Sequence, residues 1–276
     1  MIYLDGTLIE NKRFPDNTSA LKLESYNGDP RITWLYDNDE EMFMIYTITK
    51  HLQNKGCRVR LYMPYIPNAR MDRVKNEEDV FTLKYFCEFI NSLNFFSVDV
   101  LDPHSNVSTG ILNKIHVRDI DGYVWRALSN IMYDVTNGCG HEDRMVMEEN
   151  LVLFYPDEGS VKRYSEIYQH EYAFGIKHRD WKTGKITSLE VVRESALIGK
   201  DILIIDDICS KGGTFMMAAQ ELKRLGARNI YLYVTHCENN IFNGEILNSD
   251  LIKYVYTTNS IYRGNNEKIK IVGELK

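Results

Sequence analysis

The chain has 276 residues, more than a usual single domain, and with 44% hydrophobic content it can bury two cores of moderate size. Lys and Arg (33) are scattered against 39 Asp and Glu for a net charge of −6, which excludes the basic stripe of a nucleic-acid binder and points to small-molecule partners. Cys57, Cys87, Cys139, Cys209 and Cys237 are odd in number, widely spaced and have no C-x-x-C pair, so neither a disulfide framework nor a zinc site is indicated; with no signal-peptide pattern and no apolar run of membrane-spanning length, a soluble cytoplasmic protein without a membrane partner is expected.

Residues 1–23 are short apolar pieces around polar turns, one of them Phe14-Pro15-Asp16-Asn17-Thr18. Residues 32–36 read as a strand. Asn38 and Glu41 have the spacing of a capping box before a helix that carries Met42, Ile45, Ile48 and Leu52 on one face and stops at Gly56. A strand over 58–66 runs into Pro67-Asn68-Ala69-Arg70-Met71-Asp72-Arg73. Two arginines bracketing an aspartate there supply planar forks for triphosphate oxygens, or else form a surface ion-pair cluster. An amphipathic helix over 81–93 is followed by a strand over 97–101 that ends in Asp102-Pro103-His104-Ser105. A helix over 123–132 precedes the polar, glycine-bearing stretch 136–143, read as the junction between a domain 1–135 and a domain 144–276.

The second half restarts with a strand over 151–155 and the turn Pro156-Asp157-Glu158-Gly159-Ser160-Val161-Lys162-Arg163. A strand over 172–176 opens into a charged loop over 177–185. Residues 202–205 are a continuous apolar run rich in β-branched residues, as in a strand buried on both faces, and the run ends in Asp206 and Asp207. The loop 208–214 leads to a helix with Phe215, Ala218, Leu222 and Leu225 on one face and Gly226 as its stop. Glycines between a strand and a helix let backbone N–H groups point into the opening, where they and the helix dipole favour a phosphate. Two acids just before that cradle suit ribose hydroxyls or Mg²⁺. A strand over 231–235 ends at His236, and a turn lies over 257–261.

Acid-acid, a short loop and Gly212-Gly213-Thr214 together resemble the PRPP-binding motif of type I phosphoribosyltransferases and of the ribose-phosphate pyrophosphokinases (PRPP synthetases). Further segments resemble the pyrophosphokinases in chain order. PYIPNARMDR is similar to PY-x-x-x-ARQDR, with Met71 in place of glutamine, and Asp102-Pro103-His104-Ser105 is similar to Asp-Leu-His-Ala. The turn at 156–163 resembles Pro-Asp-x-Gly-Gly-x-x-Arg with Ser160 for the second glycine, and 257–261 resembles a Thr-Asn-Thr/Ser-Ile turn. Phe14 and Asp16 match part of a Phe-x-Asp-Gly-Glu turn, whereas Asn17 and Thr18 do not.

The resemblance implies an α/β protein of two phosphoribosyltransferase-like domains, each a mostly parallel sheet flanked by helices. It implies transfer of the β,γ-diphosphate of Mg-ATP to the anomeric C1 hydroxyl of a 5-phosphorylated ribose, with AMP released. Phe14, Asp16, Arg70, Asp72, Arg73 and His104 are then the ATP-side residues, and His104 and Asp157 serve Mg²⁺. Lys177 and Arg179 act on the transferring phosphates from a flexible loop. Asp206 and Asp207 orient the ribose hydroxyls, and Ser210, Lys211, Gly212, Gly213 and Thr214 hold the 5-phosphate. The family's relatives imply a homo-oligomer, a dimer or larger. No G-x-x-x-x-G-K-[ST] is present, so no P-loop is expected. The family usually has Asp-Thr where this chain has Ser210-Lys211, and the added cation suits a 5-substituent with a second phosphate, as in ADP-ribose. A phosphoribosyltransferase proper and a non-catalytic regulatory homologue are the other readings.

Overall fold

The structure, a computed structural model, describes residues 1–23, 26, 28–135, 150–166, 168, 170–179 and 186–276. The junction expected over 136–143 and the loop segment 180–185 lie outside the described residues. The chain forms two compact units, 1–119 with 275–276, and 120–274. Both are mixed α/β with mostly parallel sheets, the class expected from the sequence.

The first unit contains β1 (Ile2–Leu4), β2 (Thr7–Leu8), a small hairpin of β3 (Lys12–Arg13) and β4 (Ser19–Ala20), β5 (Arg31–Trp34), α1 (Glu41–Asn54), β6 (Arg60–Tyr62), α2 (Thr82–Ser92), β7 (Ser97–Leu101), α3 (Asn106–Ile111) and β8 (Ile115–Arg118). Its six-stranded sheet runs β2-β1-β5-β6-β7-β8, with β5 to β8 parallel. The apolar face of α1 (Met44, Ile45, Ile48, Leu52) joins Leu83, Phe86 and Ile90 of α2 in one buried cluster with Leu61, Val98 and Val100. Each such side chain contributes about 1.5–3 kcal/mol by leaving water. The strand expected over 58–66 is only Arg60–Tyr62. Its ladder continues as single bonds, Met63 N–H to Asp99 C=O (2.8 Å) and Leu101 N–H to Pro64 C=O (3.0 Å), and Pro64 has no N–H with which to extend it. The Asn38–Glu41 capping box does not form. The Glu41 carboxylate instead accepts from Trp34 Nε1 (2.7 Å), from the Asp37 N–H (2.9 Å) and from the N-terminal ammonium, and the helix begins after Glu40 without a side-chain cap.

The second unit begins with α4 (Asp121–Val135), which the sequence reading placed with the first half; its contacts are with the strands at the far edge of this unit's sheet. There follow β9 (Leu151–Tyr155), α5 (Glu158–Tyr164), β10 (Tyr172–Arg179), β11 (Ile186–Val192), β12 (Asp201–Cys209), α6 (Gly213–Arg224), β13 (Ile230–Cys237), β14 (Val255–Thr258) and β15 (Ile269–Gly273). The sheet order is β11-β10-β9-β12-β13-β14-β15, all parallel except the β10/β11 hairpin. Every residue of β9 and β13 is buried, which is why β9, and β13 as far as Val234, read as unbroken apolar or aromatic runs. From β9 the chain passes to β10 on one side and then to β12 on the other. The carboxyl ends of β9 and β12 therefore flank a topological switch point, where open α/β sheets place their ligands. Among the described residues no helix is long and apolar enough to cross a membrane.

Candidate active site

At this switch point three carboxylates are gathered by local sequence. Asp157 follows β9 and caps α5, its Oδ1 accepting from the Ser160 N–H at 3.0 Å. Asp206 and Asp207 were expected after the strand over 202–205; they lie within β12, which continues to Cys209 because Ile208 and Cys209 still pair with His236 and Cys237 of β13. Ser160, buried in the first turn of α5, brings its Oγ to 2.9 Å from Asp206 Oδ1 and 3.2 Å from Asp157 Oδ1. Asp206 Oδ1 also accepts the Asp207 N–H at 3.0 Å.

Among the described residues two cations are paired with these acids. Lys177 Nζ lies 2.7 Å from Asp157 Oδ2 with its side chain only 13% exposed, and Arg163 Nη1 lies 3.4 Å from the buried Asp207. A flexible loop was expected to begin at Lys177. Strand β10 extends through Arg179 because it pairs with β11 as far as Ile186, so Lys177 and Arg179 are strand residues. The electrostatics divide the acids. Burial works against ionisation of Asp157, but Lys177 and Ser160 outweigh it and hold the carboxyl below its usual range. Asp206 is pushed the other way, by burial first and then by the charges of Asp207 and Asp157, against which the Ser160 hydroxyl gives partial relief. Three carboxylates this close together, with Asp206 held against ionisation by burial and by the other two, make a place that a cation or a set of sugar hydroxyls would relieve.

Beyond Cys209 the chain turns sharply into α6. Gly212 has φ +79°, in the left-handed region, and a Cβ there would lie 2.1 Å from Ile246 Cδ1, so conformation and space both require glycine. Gly213 and Thr214 open α6, and with Ser210 and Lys211 they complete the five-residue cradle. The cradle is braced from behind. Asn240 Nδ2 donates to Ser210 Oγ (2.8 Å), the Glu238 N–H donates to Cys209 C=O (2.8 Å), and Gly244 is packed so close that a Cβ would lie 1.9 Å from Lys211 O. Lys211 itself is exposed and has no side-chain partner among the described residues.

The six ATP-side residues named from the sequence all belong to the first unit. Phe14 and Asp16 sit on the β3/β4 hairpin turn, where Phe14 is 57% exposed and Asp16 accepts from the Thr18 N–H (3.0 Å) and Oγ1 (2.7 Å). Those two bonds are what hold the Asp16 carboxyl below its usual range. Arg70, Asp72 and Arg73 lie in the loop after β6, with Arg73 Nε 3.0 Å from Asp72 Oδ1, and the half-buried His104 lies after β7. Because β6 and β7 are parallel neighbours, these two loops leave the same edge of the sheet. The structure thus assembles Asp157, Lys177, Asp206 and Asp207 into one cluster beside the cradle, and in the other unit it sets Arg70, Asp72, Arg73 and His104 on loops after neighbouring strands, with Phe14 and Asp16 on a separate hairpin. It adds Ser160 and Arg163, which the sequence reading quoted in a motif without giving them a role.

No family model matches the chain. A ribose-phosphate pyrophosphokinase of Thermococcus kodakarensis is 26% identical over 235 residues, 83% of this chain and 77% of the relative. One from Sulfurisphaera tokodaii is 27% identical over 263 residues, 92% of this chain and 84% of the relative. Among solved structures, the phosphoribosylpyrophosphate synthetase of Mycobacterium smegmatis matches with a TM-score of 0.73 at 16% identity, covering 96% of this chain and 85% of that one, a likeness of fold.

Proposed function

We infer that this chain, a homologue of the ribose-phosphate pyrophosphokinases, is a diphosphotransferase that moves the terminal diphosphate of ATP to the anomeric hydroxyl of a 5-phosphorylated ribose. The anomeric oxygen bonds to the β-phosphorus, the bond from that phosphorus to the α-phosphate oxygen breaks, AMP leaves, and the hydroxyl proton is lost. With ribose 5-phosphate the product is PRPP. The single observation that carries the reading is the acid cluster at the switch point directly beside a braced glycine cradle. The cradle takes the 5-phosphate, and Asp206 and Asp207 take ribose hydroxyls. Lys177 and Arg179 neutralise the transferring diphosphate, since such transfers are catalysed chiefly by positioning and charge. Arg70, Arg73, Asp72, Phe14 and Asp16 serve the nucleotide.

Mg²⁺ fits the donor set. Asp157 Oδ2 already accepts a cation, the Lys177 ammonium at 2.7 Å, and Mg²⁺ is commonly held by one or two carboxylates with substrate phosphates. We assign Asp157 to it; His104, the other residue expected from the sequence to serve it, belongs to the first unit. The ion's contribution would be neutralisation of phosphate charge.

A second acceptor is favoured by one observation. Lys211, exposed and without a side-chain partner in the cradle, suits a 5-substituent that continues as a second phosphate, as in ADP-ribose. Mass-resolved product analysis with ATP and a panel of 5-substituted riboses tests both readings. AMP with a diphosphorylated ribose supports the assignment and names the acceptor. Pyrophosphate released from PRPP and a nucleobase, with no AMP formed from ATP, would make the chain a phosphoribosyltransferase. Absence of any product would leave the regulatory homologue.

A further inference from the structure

The turn that braces the cradle carries an exposed aromatic ring, and we propose that Phe242 is a stacking platform for the base of a nucleotide whose phosphate lies against the 210–214 loop. A single exposed ring is ordinary on a protein surface. This one is held and placed. Phe242 is 44% exposed, while its ring stacks on that of the buried Tyr262, with centroids 6.2 Å apart and planes 20° apart. The ring edge occupies space left by Gly264, where a Cβ would come within 2.4 Å of Phe242 Cε2. Tyr262 therefore backs the ring on one side, and 44% of Phe242 stays exposed.

Its position is fixed to the cradle at both flanks. Asn240, two residues before Phe242, donates to Ser210 Oγ (2.8 Å) and accepts from Asn243 Nδ2 (3.0 Å). Gly244, two residues after, sits on the Lys211 carbonyl. The turn is also tied to the strip behind it by the Arg263 N–H on Asn239 Oδ1 (2.9 Å). An exposed ammonium at Lys211, backbone N–H groups at the start of α6 and an open π-face on the adjoining turn together complement a nucleotide: charge for its phosphate and a ring for its base. Ribose 5-phosphate has nothing to place on Phe242.

The proposal rests on the cradle being a phosphate site. The base has two chemical sources, a nucleoside arm on the acceptor ribose or a free nucleotide occupying the cradle with its own phosphate. Calorimetric titration of the full chain with ribose 5-phosphate, ADP-ribose and ADP, on wild type, Phe242→Ala and Phe242→Trp, tests it. The expected result is that Phe242→Ala lowers the ratio of ADP-ribose to ribose 5-phosphate affinity by at least about five-fold, as loss of one base-stacking contact does, while Phe242→Trp retains it. Conversion of ADP-ribose in the presence of ATP identifies the base as part of the acceptor. Competition of ADP with ribose 5-phosphate, without conversion of ADP-ribose, identifies a free nucleotide; either outcome supports the platform only together with the loss in Phe242→Ala. An unchanged ratio in Phe242→Ala overturns it even when both ligands bind. If ribose 5-phosphate itself fails to bind wild type, the cradle reading has failed and this proposal falls with it.

Discussion

The acid cluster of the second unit and the loops of the first to which we assign ATP differ in how far the protein satisfies its own functional groups. Around the cluster, Asp157 carries Lys177, Asp207 carries Arg163 and Asp206 carries Ser160, all at the buried or half-buried carboxyl edge of a parallel sheet. Around the loops, Phe14 is 57% exposed and Met71 37%, and Arg73 leans on its own neighbour Asp72 with 71% of its side chain exposed. The first arrangement carries an electrostatic cost, seen at Asp206, and the second leans on solvent. Substitutions in the cluster should therefore disturb stability and chemistry together, and substitutions in the loops should disturb substrate handling alone.

The largest effect is expected at Lys177. Its ammonium is half of a 2.7 Å ion pair in the free protein and, in the proposed reaction, neutralises charge that develops as the diphosphate moves. Loss of a preorganised charge of this kind costs about 10²-fold or more in kcat. Lys177→Ala should reduce kcat by that order while KM for ATP changes far less, and steady-state kinetics decide it. An unaltered kcat would make Lys177 only the counterion of Asp157.

Next is the pH dependence of Asp206. Its carboxyl is raised above the usual range by burial and by Asp207 and Asp157. A carboxyl raised on folding is protonated in the folded chain at pH values where the unfolded chain has already ionised. Its favourable contribution is complete below the unfolded value, and stability is lost as pH rises from there toward the folded value. Replacing it removes that loss. Asp206→Asn should therefore raise the melting temperature at neutral pH, by the equivalent of about 1–2 kcal/mol, and the gain should shrink toward mildly acid pH. Calorimetry at a series of pH values measures it; a pH-independent difference would mean that Asp206 is not under electrostatic stress.

Much of this was legible in the sequence because each element advertises itself by one strong local signal. The β12 run, the glycines after it and the order of the degenerate motifs all survive in the structure as a buried strand, a left-handed turn at Gly212 and loops at sheet edges. What the sequence hid was pairing. Nothing in residues 172–179 says that the strand continues through Lys177, because its continuation depends on β11, a partner later in the chain. Ser160 looked like a departure from a glycine, yet its hydroxyl joins two acids that lie 49 positions apart in sequence by subtraction of 157 from 206. The Asn38–Glu41 spacing suggested a cap, but Trp34 and the chain's own ammonium compete for the same carboxylate.

On the exposed side of the comparison, Arg73→Ala should be almost silent in stability, within about 0.5 kcal/mol, because the arginine is exposed and its partner is adjacent in sequence. If the arginine forks nucleotide phosphates, KM for ATP should rise about ten-fold. Thermal unfolding and kinetics on the same sample separate the two effects. A stability loss without a change in KM would reverse the contrast between loop and cluster.

The smallest and most selective effect is expected at Lys211, which belongs to the braced unit but behaves like the exposed one. Its backbone is clamped by Gly244, while its side chain is exposed with no partner among the described residues, so removing the charge leaves the cradle's shape intact. What changes is the charge presented to whatever extends beyond the 5-phosphate. Lys211→Thr should weaken ADP-ribose relative to ribose 5-phosphate by about five-fold, the equivalent of roughly 1 kcal/mol for one partly screened charge. Because that contribution is Coulombic it should fade as ionic strength rises, whereas the discrimination due to Phe242 comes from stacking and should persist. Affinity ratios for the two single variants at low and high salt therefore resolve charge from ring: equal salt sensitivity in both would show that one electrostatic site, and not a cation beside an aromatic platform, selects the substituent.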